Sequence, residues 1–234
     1  RGDTLGWSQI EMTSPDLDGG ARGLFASGQV APSTGTYTDH IEYVTISTLG
    51  NGNTFGDLTV SRGHCAGMAS RSRSVFGSGY GPSNVMDYIT IASTGNAVDF
   101  GDNTSTRDST GGISDQTRGL IAGGSNSVSN TITYITIAQT GNAVDFGNLT
   151  TGTAWISDGA VNSPTRGMWI AGGPGASNVI DYITIASTGN AADFGDASLA
   201  RSDACGVCSS VRGIWGGGYA SPGERSIIDY ITIA

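Results

Sequence analysis

Five times along the chain, bulky apolar residues alternate with threonine over a five-residue phrase. It reads Tyr43-Val44-Thr45-Ile46-Ser47 first, then Tyr-Ile-Thr-Ile-Ala at 88–92, 134–138, 182–186 and 230–234. Successive side chains of a strand point to opposite faces, so a period of two predicts a strand with two different faces. The phrases start 45, 46, 48 and 48 residues apart. Repetition at this period marks an architecture assembled from identical units.

A fixed order of elements surrounds each phrase. Before it runs an Arg-led segment ending in small residues: Arg22-Gly-Leu-Phe-Ala-Ser-Gly, Arg73-Ser-Val-Phe-Gly-Ser-Gly, Arg118-Gly-Leu-Ile-Ala-Gly-Gly, Arg166-Gly-Met-Trp-Ile-Ala-Gly-Gly and Arg212-Gly-Ile-Trp-Gly-Gly-Gly. After it comes Gly-Asn, at 50–51, 95–96, 141–142 and 189–190, a hairpin signal because both residues tolerate positive φ. Phe55, Phe100, Phe146 and Phe194 follow, each twelve residues past its Tyr and each opening Phe-Gly-Asp or Phe-Gly-Asn. A small-residue stretch, such as Ala204-Cys-Gly-Val-Cys, leads to the next Arg.

Four short strands per repeat predict an all-β fold, a single domain over residues 1–234. The expected architecture is a five-bladed β-propeller with four antiparallel strands per blade, since a blade buries little alone and a ring leaves only short edges. Helical repeats would show a 3.6-residue apolar period, and none is present. The last phrase ends the sequence before its own Phe-Gly-Asp strand, while Arg1-Gly2-Asp3-Thr4-Leu5 resembles that strand. The N-terminal segment is therefore expected to complete the last blade and close the ring.

Comparison among the repeats separates scaffold from variation. The turn after the third strand is nearly constant, so one end of the ring is repeated scaffold. The links from second to third strand vary (29–40, 80–83, 125–129, 174–177, 219–226), as do those from fourth strand to next blade (60–63, 103–108, 150–157, 197–202). Both sets fall at the opposite end, and variable loops on a rigid scaffold are where binding concentrates. Tyr37, His40, Tyr80, Arg107, Trp155, Tyr219 and Arg225 are the candidate contact residues there, with aromatic and Arg side chains as natural anchors.

Composition narrows the chemistry. With 20 acidic against 11 basic residues, a net charge of −9 and no Lys/Arg stripe, the chain lacks what displaces counterions from nucleic acid. No apolar run reaches membrane-spanning length, so membrane insertion is not expected. The chain shows no signal peptide and does not open on Met, so a processed product or a piece of something longer is expected.

Each tempting motif has a plainer reading. Arg1-Gly2-Asp3 spells an adhesive tripeptide, but its Gly-Asp falls at the scaffold position of every repeat. Cys205 and Cys208 stand where the second repeat has Ala66 and Ala69, so they are expected as small buried residues. A zinc site would need further ligands, and His40 and His64 are the only histidines. The recurring Asp residues are expected to cap turns or pair with the repeated Arg, not to cage a cation. No metal, cofactor or catalytic residue is assigned, and the expected activity is non-enzymatic.

The elements Arg-Gly-apolar-Ala-Gly-Gly, Asp-Tyr-Ile-Thr-Ile-Ala-Ser-Thr-Gly-Asn-Ala and Asp-Phe-Gly-Asp resemble, in that order, the kelch-like repeats of virion structural proteins from tailed phages of marine and cyanobacterial type. The resemblance covers essentially the whole chain. It departs from kelch rings in having five blades instead of the usual six or seven, and Phe where the last strand usually has Trp. It implies a virion or extracellular location, in an appendage such as a tail fibre or a decoration, with partners among other virion proteins or a host-surface glycan or receptor. Five-bladed animal lectins are a looser analogy. A carbohydrate-binding lectin and a polysaccharide-cleaving enzyme stay open as alternatives.

Overall fold

A computed structural model of the chain describes residues 21–30, 35–81, 83–125, 128–156, 159–170, 172–173 and 177–233. The described residues form five small antiparallel sheets arranged as a ring, a five-bladed β-propeller, with no α-helix among them. Blade 1 holds β1 (Arg22–Gln29), β2 (Tyr37–Thr45) and β3 (Asn53–Asp57). Blade 2 holds β4 (Ala66–Ala69), β5 (Arg73–Gly77), β6 (Val85–Thr90) and β7 (Val98–Asp102). Blade 3 holds β8 (Gly111–Ser114), β9 (Arg118–Ala122), β10 (Ser129–Thr136) and β11 (Val144–Thr153). Blade 4 holds β12 (Ala160–Asn162), β13 (Arg166–Ile170), β14 (Val179–Thr184) and β15 (Ala192–Asp196). Blade 5 holds β16 (Cys205–Cys208), β17 (Arg212–Gly216) and β20 (Ile228–Thr232), with a small hairpin of β18 (Tyr219–Ala220) and β19 (Gly223–Glu224).

Three blades thus carry the four strands that the repeat predicts. Blade 1 shows no strand before β1 and blade 5 none beyond β20 among the described residues. The N-terminal closing strand expected at residues 1–5 lies outside them. The first strands of blades 2 to 5 sit side by side around the axis, β4 against β8, β8 against β12 and β12 against β16.

The core lies between blades, which explains the two-faced phrase. Met68, Val75, Met86, Tyr88 and Phe100 of blade 2 pack against Ile121, Ile135 and Ile137 of blade 3. The same arrangement joins blade 3 to blade 4 through Trp169, Ile183 and Ile185. Alternate positions of one strand therefore serve two joints, and each blade needs neighbours on both sides to be dry. Among the described residues no core cluster joins blade 5 to blade 1, the seam of the ring. Ile46 is 66 % exposed and Tyr230 66 %, whereas Ile91, Ile137 and Ile185, the equivalents of Ile46, are buried.

Two repeated devices pin the joints between blades 1 and 2, 2 and 3, and 3 and 4. The Gly-Asn-Ala turn of one blade bonds the outer strand of the preceding one: Gly141 N donates to Phe100 O (2.7 Å), Ala143 N to Asp102 O (2.8 Å), and Asn142 Oδ1 accepts from Asp102 N (3.0 Å). The pattern recurs at Gly95–Ala97 on β3 and Gly189–Ala191 on β11. The sequence reads Gly-Asn as a hairpin signal; in space it is also a clasp between blades. In the second device each repeated Arg stacks on the Tyr of its own blade, Arg73 4.2 Å from the Tyr88 centroid, and Arg22, Arg73 and Arg118 reach the next phrase, Arg73 donating to Ile137 O at 2.9 Å. In place of the expected pairing with the repeated Asp, Arg22, Arg73 and Arg118 stack on a Tyr and donate to a carbonyl. Asp99 and Asp193 do cap turns, accepting from Gly101 N and Gly195 N.

Candidate binding face

Strand alternation brings the two variable loop sets to one end, where they zip together. Gly63 bridges Tyr80, Ala154 bridges Gly173, and Ser202 bridges Tyr219. Gly79 N donates to Arg107 O at 2.8 Å and Ser125 N to Asp108 O at 3.0 Å. These bonds tether the described parts of neighbouring loops to one another.

Nine residues past each repeated Phe the chain turns left-handed: His64 (φ 55°), Ser109 (52°), Trp155 (56°) and Asp203 (56°). A side chain in this region meets its own carbonyl and costs about 1–2 kcal/mol, a cost glycine escapes. The sequence uses glycine freely elsewhere, yet here it keeps four different side chains. Backbone bonds chain three of these positions around the face, Ile156 N to Ser109 O (3.2 Å) and Asp203 N to Trp155 O (3.3 Å). Three of the four, His64, Trp155 and Asp203, are exposed. Of the set, sequence reasoning singled out only Trp155. The signal that finds the others is the constant offset from Phe combined with a varied residue type.

The candidate contact residues fall into distinct places. Tyr37 and Tyr80 meet, ring centroids 5.2 Å apart, with His64 at 6.5 Å from Tyr37. Trp155 is 45 % exposed and its six-membered ring covers Gly173, where a Cβ would clash. Tyr219, 49 % exposed, lies at the bridge to Ser202, and Arg225 N donates to Gly218 O (2.8 Å) beside it. His40 stands within the sheet, its Nδ1 3.4 Å from Asp57 Oδ1. Arg107 is no surface group: it is 2 % exposed, with guanidinium bonds to Gly123 O, Thr131 O, Asn103 Oδ1 and Thr133 Oγ1. Burial lowers its pKa to about 10.

Arg107 belongs to a series of buried charges beneath the face, seven residues past the repeated Phe. Arg62 meets Asp87 at 2.8 Å and Arg201 meets Asp229 at 2.7 Å. At the second joint the carboxylate is replaced by Thr133, and at the third the arginine is replaced by Thr153. Asp181 there holds Thr150 N (3.0 Å) and Thr150 Oγ1 (2.6 Å), and desolvation raises its pKa despite these bonds, with Asp193 adding to the rise.

Cys205 and Cys208 are exposed, contrary to the buried packing expected, and so is Ala69, the equivalent of Cys208 in blade 2; Cys208 Sγ accepts from Asn162 N at 3.5 Å. Among the described residues no group of three or more His, Cys, Asp and Glu is placed to hold a metal ion. No helix there is long and apolar enough to cross a membrane. Two cavities of ≈ 470 and ≈ 500 Å³ open at the opposite, scaffold end; the first is bounded by Arg22 and Leu24 of β1, the second by Ser114, Asp115 and Asn162.

Five blades with one constant end and one varied end define the class as a β-propeller whose candidate site is a loop face. No protein-family model matches the chain, and no curated protein matches it significantly.

Proposed function

We propose that the protein is a non-enzymatic adhesive module of a phage particle, an appendage or decoration facing the exterior. Its variable loop face contacts a host-surface component or another virion protein. The observation that carries this reading is the set of left-handed residues, His64, Ser109, Trp155 and Asp203. Side chains kept where glycine would relieve strain suggest a role outside folding. The phage assignment itself rests on the repeat phrases.

A carbohydrate-binding lectin is the second reading, favoured by the exposed Trp155 and the Tyr37–Tyr80 pair. In either case the aromatic anchors supply contact area and the tethered loops keep the ordering entropy small.

The test is an array of host-derived surface polysaccharides and other glycans, together with purified particle proteins, probed with the chain and with a Trp155→Ala/Tyr219→Ala variant. Binding that the variant loses supports the reading. Binding that the variant retains in full contradicts it.

A further inference from the structure

At the first joint, two tyrosine rings are fixed from behind, Tyr37 half-buried and Tyr80 exposed. Tyr80 exchanges two main-chain bonds with Gly63, at 2.7 and 3.2 Å. The Tyr37 ring lies against the Cα of the same glycine, so closely that a Cβ there would come 2.5 Å from its Cδ1. The two rings touch at 5.2 Å between centroids with a tilt of 48°, and the His64 imidazole approaches the Tyr37 ring edge-on at an interplanar angle of 66°. Tyr80 is 50 % exposed, and His64, in its left-handed conformation, is exposed as well.

We propose that Tyr37, His64 and Tyr80 form a docking platform for a neutral hexopyranose residue of a glycan, a reading that rests on the binding role given to this face. A pyranose offers a flat array of C–H groups to an aromatic ring and hydroxyls to the groups at its rim. Here the rim carries two phenols and an imidazole, which donate and accept. The Tyr37 phenol is protonated at neutral pH in any case, and burial, Tyr80 and the Asp108 carboxylate push its pKa further up.

Other ligand chemistries fit less well. A quaternary ammonium needs rings facing each other across a gap, and these rings fill the space between themselves. An acidic sugar would find the Asp108 charge nearby, and Arg62 beneath is fully buried and bound to Asp87. Two rings are also far smaller than the ~800 Å² per partner of a stable protein interface.

A single stacking platform implies millimolar affinity for a monosaccharide. The experiment is saturation-transfer-difference NMR on the whole chain. The probes are methyl α-D-mannopyranoside, methyl β-D-galactopyranoside, methyl β-D-glucopyranoside, methyl β-D-glucuronide and choline, each at about 10 mM. At least one neutral glycoside should saturate through its ring protons. Its affinity should fall about tenfold or more in Tyr80→Ala, whose backbone bridge survives, and also weaken in Tyr37→Phe. Thr140→Ala, at the opposite end, should leave it unchanged. No signal from any neutral glycoside, a signal that survives Tyr80→Ala, or an equal signal from choline or the glucuronide overturns the proposal. If a polysaccharide is lost by Trp155→Ala/Tyr219→Ala but kept by Tyr80→Ala, the platform falls and the binding role of the face stands.

Discussion

Arg62 and Asp87 lie 2.8 Å apart with both side chains wholly buried, at the joint between blades 1 and 2. Such a pair is dangerous to halve. Removing one partner strands a charge in the interior and costs about 3–5 kcal/mol, whereas replacing both with apolar residues can be neutral. Asp87→Ala should therefore destabilise the protein strongly. Arg62→Met/Asp87→Leu should recover most of that loss, read as the midpoint of chemical denaturation.

The second joint invites the reverse experiment. Thr133 stands where the neighbouring blades have Asp, 3.0 Å from Arg107 Nη2. Thr133→Asp supplies the missing carboxylate at similar volume. A gain of about 1 kcal/mol, or ~2–4 °C in Tm for a chain of this size, is expected in a thermal melt. A lower Tm would show that desolvating a carboxylate there costs more than its pairing with Arg107 returns.

Asp181 and Asp229 occupy the same position in consecutive blades but titrate in opposite directions. Desolvation raises the pKa of Asp181, which lacks an arginine. At Asp229 desolvation also pushes upward, but hydrogen bonds from Ser198 and Arg201 and the Arg201 charge outweigh it and lower the value. A raised carboxyl pKa means the folded state favours the protonated form, so Asp181 costs stability as pH rises through its folded pKa. A lowered one means Asp229 contributes stability above the ordinary carboxylate range that is lost as pH falls through its folded pKa. Melts between about pH 3 and 7 should show Asp181→Asn gaining on the parent as pH rises and Asp229→Asn losing ground over the same range.

The clasp between blades yields a matched pair of glycine substitutions. Gly101 and Gly195 sit at equivalent positions with φ of +133° and +136°, so Ala is equally strained in both. A Cβ on Gly101 would come 2.6 Å from Gly141 C, while one on Gly195 meets nothing within 4 Å. Gly101→Ala should cost about 1–3 kcal/mol more than Gly195→Ala in urea denaturation, the usual range for overpacking. Equal costs would mean that the close approach of the turn is not needed.

Much of the ring was legible in the sequence because each repeat states it again. The two-faced phrase, the four-strand order and the common end of the variable loops all follow from periodicity and strand alternation. Contacts between blades were not legible, since spacing inside a repeat does not tell which blade a turn will touch. The Gly141–Ala143 turn looks like a local hairpin until its bonds to Phe100 and Asp102 are seen. Arg107 misled for a related reason: it falls in a variable link yet sits at the constant offset from Phe shared by Arg62 and Arg201, and that constancy marks it as interior. Cys205 and Cys208 were read from their alanine equivalents, but only Ala66 is buried, and Ala69, the equivalent of Cys208, is exposed in blade 2 as well.

The strained collar carries a stability consequence of its own. His64→Gly removes a left-handed side chain and should stabilise the fold by up to about 1 kcal/mol, partly offset by the freedom glycine adds to the unfolded chain. The same change should weaken binding, the trade-off expected when strain is kept for function.

The central claim is that the varied end, and not the constant one, does the binding. The direct measurement compares two multiple variants, Tyr80→Ala/Trp155→Ala/Tyr219→Ala at the loop face and Thr94→Ala/Thr140→Ala/Thr188→Ala at the scaffold end, for attachment of the labelled chain to host-derived surface polysaccharide and to purified particle proteins. Attachment lost only in the first variant is the predicted result. Attachment lost only in the second would contradict the account and move the binding site to the other end of the ring.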